Sequence, residues 1–420
     1  MLKYLISTVE MLSIPAVLLG MLYGYIPKRS GKQGARVLLV FSLCGFFAAV
    51  VMAYLKNKTK LIRTDTWNTR IFAVSLTAFL LFLILDAVLS RKKENRTLMT
   101  LVAFSASVLG FTQIFYALPD VLAYPYTIRL NGDNVFSTAY LYRLIGVIAG
   151  ALLIVLMCAA VRFLSGKTDE RITSVLLKAG FAFVSLQQIL KIVSILRARR
   201  ILPKGTLFSL TSWSANHTNY YVYGVLALAL LLPFIALVKS AHIRDPYENP
   251  AQLRKLKASR NSTRRWSFAV LACFLLTALN LTAIKAYAYR PEELSAIEDC
   301  IREGDELIIP FEQVEDGHLH RFAYTTAEGA EVRFIVIQKP NGSSWGIGLD
   351  ACDICGETGY FERAGQVVCN RCDVVMNVNT IGFKGGCNPK VIEYSVRDGQ
   401  IIVPVSTLDT PENNRLFKPQ

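Results

Sequence analysis

The chain has 420 residues, of which 53% are hydrophobic and only 18% charged, and its formal net charge is +15. This composition leaves too little polar surface to cover a soluble globule of that size, so it excludes an ordinary soluble protein and favours a membrane protein. The basic residues stand in short connectors between apolar runs, without an aromatic-basic platform, which argues against a nucleic-acid partner.

Long apolar runs fill about the first 290 residues. A membrane-crossing helix needs roughly 20 mostly apolar residues to match about 30 Å of hydrocarbon. Eight runs meet this length, so residues 1–290 are predicted to form a helical region in contact with the lipid bilayer. The predicted spans are 4–26, 35–55, 71–89, 98–118, 141–164, 172–195, 220–238 and 266–287.

The connector 239–265 sets the predicted orientation. It carries eight basic residues against two acidic ones, directly before the last span. Lys and Arg are retained on the cytoplasmic side of short loops, so this connector is predicted to be cytoplasmic. The chain is then a multi-pass protein of the cell membrane, inner or plasma, and its last 130 residues or so face the extracytoplasmic space. Connectors 56–70 and 197–204 are also basic, but this orientation places them outside the cytoplasm, so they count against it.

Charged residues within the spans are costly and mark ion pairs or pathways. Asp86, Arg143 and Lys285 lie near predicted helix ends, where snorkelling explains them. Glu10 and Lys178 lie deeper, and an ion pair between these two, or a proton or ion path through Glu10, is the hypothesis. None of the four histidines lies in an apolar run, so two helices offer no pair of haem ligands.

Residues 291–420 have a different pattern, that of a small β-rich soluble domain. Short runs alternate polar and apolar residues, and Gly-containing breaks separate them. Asn341-Gly342 and Asp398-Gly399 are turn signals, and the second predicts a hairpin between 391–396 and 400–405. The alternating runs are 306–314, 320–326, 331–338, 366–369 and 390–396.

Two C-x-x-C pairs, separated by 13 residues, predict a metal site that binds through four thiolates. Iron–sulfur ligation and a structural zinc ribbon both use this pattern, so both remain open. Disulfides are a third alternative, because Cys300 makes the number of cysteines in this domain even. The predicted metal-binding residues are Cys352, Cys355, Cys369 and Cys372, with Cys387 as a fifth candidate.

Three other residues are candidates for a secondary metal site. His318 and His320 alternate along a predicted strand and are expected to face the same side. Met376 follows Cys372 by four residues and carries a soft thioether. The plainer interpretation is that the histidines lie on the surface and that Met376 packs in the core.

The segment 306–408 resembles the membrane iron-sulfur FtrD-like family. The motifs that carry the resemblance are His-Arg-Phe-Ala-Tyr from His320, Leu-Asp-Ala-Cys-Asp-Ile-Cys-Gly from Leu349, Val-Cys-Asn-Arg-Cys from Val368 and Gly-Gly-Cys-Asn-Pro from Gly385. The resemblance implies a ferredoxin-like, membrane-anchored component of a bacterial iron-uptake system. It also implies an iron permease and periplasmic iron- or copper-binding proteins as partners, and it favours an iron–sulfur cluster over zinc.

Electron transfer during iron uptake is therefore the predicted function. The first alternative is a metal transporter or permease subunit, although the helices lack the R-E-x-x-E pattern of an iron permease. The second is a zinc-stapled interaction scaffold in the membrane. No nucleophile-base pair or phosphate-binding loop is present in the sequence, which argues against a conventional hydrolase or transferase. Any enzymatic activity is therefore expected to be a redox activity.

Overall fold

A computed structural model describes most of the chain. The described residues are 1–59, 62–92, 95–127, 138–199, 201–202, 207–241, 246–290, 294–340, 344–363, 365–371, 374–383 and 387–418. The chain folds into two compact units, Met1–Tyr289 and Arg290–Gln420. The first is called the membrane unit below and the second the cysteine unit.

The membrane unit consists of helices. Seven of those described, all except α6 and α9, are long and apolar enough to cross a membrane. A π-helical turn, Asn280–Ile284, joins α8 to α9. The helices are α1 (Leu2–Lys58), α2 (Thr64–Arg91), α3 (Arg96–Thr127), α4 (Thr138–Lys167), α5 (Glu170–Ala198), α6 (Leu207–Asn216), α7 (Thr218–Lys239), α8 (Pro250–Leu279) and α9 (Lys285–Ala288).

Helix α1 holds two of the eight predicted spans. It is interrupted at Gly31, whose φ of 66° and ψ of −165° are not helical and suit a residue without a Cβ. Both halves pack against α3, because a methyl group placed on Gly110 of α3 would contact both Leu19 and Leu38. Helix α1 therefore contains two of the eight predicted spans, and the predicted helical architecture is confirmed with seven long apolar helices among the described residues.

The buried charges of the membrane unit are paired, although not as the sequence suggested. Lys178 Nζ lies 2.6 Å from Asp86 Oδ2, and Arg29 Nε lies 2.7 Å from Asp86 Oδ1. Asp86 is only 2% exposed, so its interpretation as a snorkelling residue at a helix end is wrong. The Tyr25 hydroxyl donates a hydrogen bond to Asp86 Oδ1 at 2.8 Å. This network joins α1, α2 and α5.

Glu10 is paired with Lys285, at 2.8 Å, so the hypothesis of a Glu10–Lys178 pair is wrong. Sequence alone gives no register between helices that are distant in the chain, and both cations lay within apolar runs. The actual pair joins the beginning of α1 to α9. The beginning of the first helix and the last helix of the membrane unit therefore lie on the same side of the bundle.

The cysteine unit is β-rich, as predicted, and all its described strand pairs are antiparallel. It has a four-stranded sheet in the order β1-β2-β9-β8, a three-stranded sheet β3-β4-β5 and a hairpin β6-β7. The elements are β1 (Ile301–Glu303), β2 (Glu306–Pro310), α10 (Phe311–Val314), β3 (His320–Thr325), β4 (Glu331–Gln338), β5 (Trp345–Leu349), β6 (Tyr360–Arg363), β7 (Gln366–Cys369), β8 (Ser395–Arg397), β9 (Gln400–Pro404), α11 (Val405–Leu408) and α12 (Pro411–Phe417).

Strand β4 separates two hydrophobic clusters. Phe334 and Val336 belong to the first cluster, whereas Ile335 and Ile337 belong to the second, together with three cysteines. Successive side chains of a strand point to opposite faces of the sheet, so one strand can serve both clusters. The cysteines therefore lie on one face of the β3-β4-β5 sheet.

The predicted turns have different outcomes. Asp398 (φ 48°) and Gly399 (φ 74°) connect β8 to β9, which confirms the predicted hairpin with a shorter first strand. The Asn341-Gly342 turn, between β4 and β5, lies outside the described residues.

Candidate metal centre

Three of the predicted cysteines converge in the cysteine unit. The sulfurs of Cys352, Cys355 and Cys369 lie within 4.8 Å of one another, and all three residues are buried. They come from two separate segments, the turn after β5 and the end of β7. Cys372 lies outside the described residues.

The first C-x-x-C pair forms a compact knuckle. Cys352 and Gly356 exchange two backbone hydrogen bonds, of 3.0 and 3.1 Å, which close the turn around Cys355. The N–H of Cys355 donates to the Cys352 sulfur at 3.1 Å. Gly356 has a φ of +72°, a conformation that favours glycine.

This geometry favours the thiolate at Cys352. Burial raises the pKa of this thiol, but hydrogen bonds from the backbone N–H groups of Cys355 and Ile354 lower it, and the resulting pKa is below the ordinary value for cysteine. Arg371 adds positive charge nearby, since its guanidinium donates to the Cys355 carbonyl oxygen at 3.2 Å. The thiolate is the form that binds metal.

The second pair begins at the end of a β-ladder. Cys369 pairs with Tyr360 across the β6-β7 hairpin. Its N–H donates to the carbonyl of Val374 at 3.0 Å, and the N–H of Met376 donates to Val367 at 2.7 Å. The chain therefore returns alongside β7 directly after Cys369, which fixes the position of this cysteine.

Cys387 and Met376 pack against the same hydrophobic cluster as the three cysteines. The group of three sulfurs within 4.8 Å does not include Cys387, whose backbone carbonyl accepts a 2.6 Å hydrogen bond from the Tyr360 hydroxyl. Met376 is buried. Cys300 packs against the other cluster of this unit, away from Cys387.

The two candidate histidines have different surroundings. His318 is exposed, precedes β3 and contacts Glu362 through Nδ1 at 2.9 Å. His320 is buried, so its interpretation as a surface residue is wrong. Its Nδ1 lies 2.9 Å from Glu298 and its Nε2 lies 2.8 Å from Asp316. Both ring nitrogens of His320 thus already have carboxylate partners, and a metal would have to displace one of them. The secondary metal site stays a prediction.

A buried ion pair that the sequence analysis missed supports the knuckle. Arg321 Nε donates to Asp350 Oδ2 at 2.9 Å, and the N–H of Tyr360 donates to Asp350 Oδ1 at 2.8 Å. Arg321 also donates to the Tyr360 carbonyl and to Ser295. The signal was an arginine at the start of the run Arg-Phe-Ala-Tyr in β3 and an aspartate two residues before Cys352.

The donor set fits an iron–sulfur centre, because buried thiols of two segments converge and a backbone N–H already donates to one sulfur. It also fits a single tetrahedral ion. One ion bound by all the thiolates holds them closer together than a cluster in which each thiolate binds a different iron.

Comparison with known families supports the iron–sulfur centre over the single ion. Residues 314–415 match the family model described as membrane iron-sulfur containing protein FtrD-like. The match confirms the resemblance over this segment, which lies within the cysteine unit and contains the converging cysteines. Neither the curated proteins nor the solved structures include a match to the chain. The family match, the buried cysteines and the apolar helices together describe a multi-pass membrane metal protein.

Proposed function

We propose that this chain is a membrane-anchored iron–sulfur protein that transfers electrons in a bacterial iron-uptake system. The observation that carries the proposal is the group of buried thiols at Cys352, Cys355 and Cys369. The family match over residues 314–415 supports it. Cys372 is proposed as the fourth ligand, because its spacing from Cys369 repeats that of the first pair.

When bound, an iron–sulfur centre supplies one-electron exchange at a potential set by its surroundings. The residues of this chain provide those surroundings. The burial of the three cysteines keeps water from the sulfurs. The N–H of Cys355 donates to the Cys352 sulfur and stabilises negative charge there.

The position of Ile354 supports electron exchange with a partner protein. This residue lies between two proposed ligands and is 66% exposed, whereas both cysteines beside it in the motif are buried. The thiols therefore lie just beneath the surface of the cysteine unit. The partners implied by the resemblance are an iron permease and periplasmic iron- or copper-binding proteins.

The cysteine unit is proposed to face the extracytoplasmic side of the cell membrane. The basic connector 239–265 precedes α8's apolar segment and is proposed to be cytoplasmic. One further crossing then takes the chain out of the cytoplasm. Modification of single cysteines in intact cells with a membrane-impermeant reagent tests this side.

Reversible reduction of the full-length protein tests electron transfer. Protein purified in detergent without oxygen is titrated with dithionite and re-oxidised, while its optical and EPR spectra are recorded. We expect a reversible signal that Cys369→Ser abolishes and Cys300→Ser retains, because Cys300 lies in the other hydrophobic cluster. A bound metal whose spectrum ignores reductant would contradict the proposal.

One observation favours a second candidate, a structural zinc knuckle. The three sulfurs are close enough to bind one tetrahedral ion. In that case the cysteine unit would be an interaction module, and function would reside elsewhere in the chain. Zinc without sulfide in the purified protein would identify this alternative.

A further inference from the structure

A cavity of about 340 Å³ lies within the membrane unit. Residues of α1, α2, α3, α5 and α7 line it, and they include Glu10, Phe72, Tyr116, Gln188, Lys191 and Val222. This volume is within the range of sites that bind small organic molecules. The proposed electron transfer uses only the cysteine unit and assigns no role to this cavity.

The cavity contains a buried polar group without a partner. Gln188 is 5% exposed, and its Oε1 atom has no hydrogen-bond partner among the described residues. Unpaired polar atoms are unfavourable in a protein interior and more so in a membrane. A ligand that donates a hydrogen bond to this amide would relieve that cost.

The charges of the cavity argue against a metal cation as the ligand. Glu10 is neutralised by Lys285 at 2.8 Å, and Asp120 by Lys56 at 3.0 Å. Lys191 is different, since its Nζ donates to the neutral Tyr116 hydroxyl at 3.0 Å. The uncompensated charge among the described lining residues is therefore positive, and it favours a ligand with acceptor oxygens.

The remaining wall suits a flat ring. The rings of Phe72 and Tyr116 lie with centroids 4.9 Å apart and tilted by 58°, and Val222 adds an apolar surface. Aromatic rings pack favourably against other rings in such tilted or offset arrangements. The polar groups, Gln188 and Lys191, are one helical turn apart on α5 and can form hydrogen bonds with two oxygens of the same ring.

We propose that this cavity binds the head group of a lipid-soluble quinone or quinol. Lys191 would donate to a carbonyl oxygen of the quinone or to a hydroxyl oxygen of the quinol, and the aromatic residues would contact the ring. Gln188 Oε1 would accept a hydrogen bond from a hydroxyl group of the quinol form. Binding does not depend on the cysteine centre. Only its use as a membrane partner in electron exchange rests on the proposed function.

Binding of decylubiquinone to the full-length protein tests the proposal. Tagged protein in lipid nanodiscs is titrated with the labelled quinone, and empty nanodiscs give the background of partition into lipid. We expect saturable binding of one quinone per protein. Loss of one hydrogen bond to a charged donor weakens binding about 10- to 100-fold, which is the expectation for Lys191→Met. Gln188→Leu removes an acceptor for a quinol hydroxyl, so it is expected to weaken binding of reduced decylubiquinol about 5-fold and to leave binding of decylubiquinone nearly unchanged.

Lys239→Met is the matched control, because this exposed lysine at the end of α7 does not line the cavity. Its affinity is expected to equal that of the unmodified protein. Melting temperatures show whether each variant is folded. Photo-crosslinking of the unmodified protein with an azidoquinone gives a second readout that needs no variant, and the label is expected on α3 or α5.

Equal binding by all four proteins, non-saturable binding, or label outside the cavity would overturn the proposal. So would displacement of the quinone by a short-chain anionic phospholipid at equal concentration, since the site would then be a phosphate site. Iron content and the reducible spectrum of the same preparation report separately on the cysteine centre. Failure of either proposal therefore leaves the other intact.

Discussion

Arg321 and Asp350 form an ion pair, with Nε and Oδ2 2.9 Å apart, that is almost wholly buried: the side chains are 1% and 0% exposed. Arg321 lies opposite Ile335 in the β3-β4 ladder and therefore on the cysteine face of the sheet. Asp350 is two residues before Cys352. The pair connects the sheet to the knuckle, so the geometry of the candidate metal centre depends on it.

Asp350→Asn is expected to destabilise the cysteine unit by about 3–5 kcal/mol, because it leaves the Arg321 charge buried without a counter-charge. Denaturant unfolding followed by a probe in this unit measures the change. Asp353→Asn is the control, since Asp353 is 64% exposed and makes only a 3.4 Å contact with Lys390. Equal effects of the two substitutions would show that burial of the pair is unimportant.

Gly359→Ala is expected to cost more than Gly365→Ala. Both glycines have positive φ angles, of 77° and 73°, so both substitutions carry a backbone cost of about 1–2 kcal/mol. A Cβ at Gly359 would also lie 2.8 Å from Asp350 Oδ2, whereas nothing lies within 4 Å at Gly365. Crowding adds about 1–3 kcal/mol at Gly359. Unfolding free energies that agree within error would contradict this account of the knuckle.

In the membrane unit, Asp86→Asn is expected to destabilise the helix bundle by about 3 kcal/mol or more. The substitution removes the counter-charge of Lys178 and the nearer of the two carboxylates that pair with Arg29, whose other partner is Glu170 at 3.4 Å. The melting temperature in detergent measures the effect. Asp65→Asn, at an exposed position in the first turn of the same helix, is expected to leave the melting temperature nearly unchanged. A stable Asp86→Asn protein would show that the network is dispensable.

The pKa of the His318 imidazole is expected to lie above the ordinary value for histidine. Its hydrogen bond and charge interaction with Glu362 raise the pKa of the imidazole. The stabilising contribution of this contact is therefore fully present below about pH 6.5, the ordinary value for histidine, and is lost as the pH rises through the raised pKa. NMR titration is practicable because the chain has only four histidines.

Glu362→Gln is expected to return the pKa of His318 toward about 6.5, because the opposite charge is removed. Glu328→Gln, a substitution at an exposed position of the same unit, is expected to leave it unchanged. A His318 pKa that is insensitive to Glu362→Gln would assign the shift to another group.

The length of the apolar runs and the alternation of polar with apolar residues predicted most of the fold. All eight predicted spans lie within the seven long apolar helical segments, and the run 331–338 coincides with β4. Strand β5 was missed because its sequence, Trp-Gly-Ile-Gly-Leu, is buried throughout and does not alternate polar with apolar residues. The run 306–314 was predicted as one strand, but β2 ends at Pro310 and a helical turn follows. Proline removes a backbone donor and limits how far a strand continues.

Pairwise interactions were much less accessible from the sequence. Spacing indicated that the two C-x-x-C pairs share a centre, because each pair is local in the chain. Glu10 and Lys285 are 275 residues apart, and only the packing of whole helices brings them together. The same holds for Arg321 and Asp350, whose meeting depends on the register of β3 with β4 and on the loop after β5.

The content of iron, zinc and acid-labile sulfide in full-length protein purified without oxygen decides whether the cysteines hold an iron–sulfur cluster. We expect iron together with sulfide, both lost in Cys352→Ser and both retained in Cys300→Ser. Zinc without sulfide would contradict it and leave a structural knuckle. Iron without sulfide would contradict a cluster and indicate a single iron held by the thiolates.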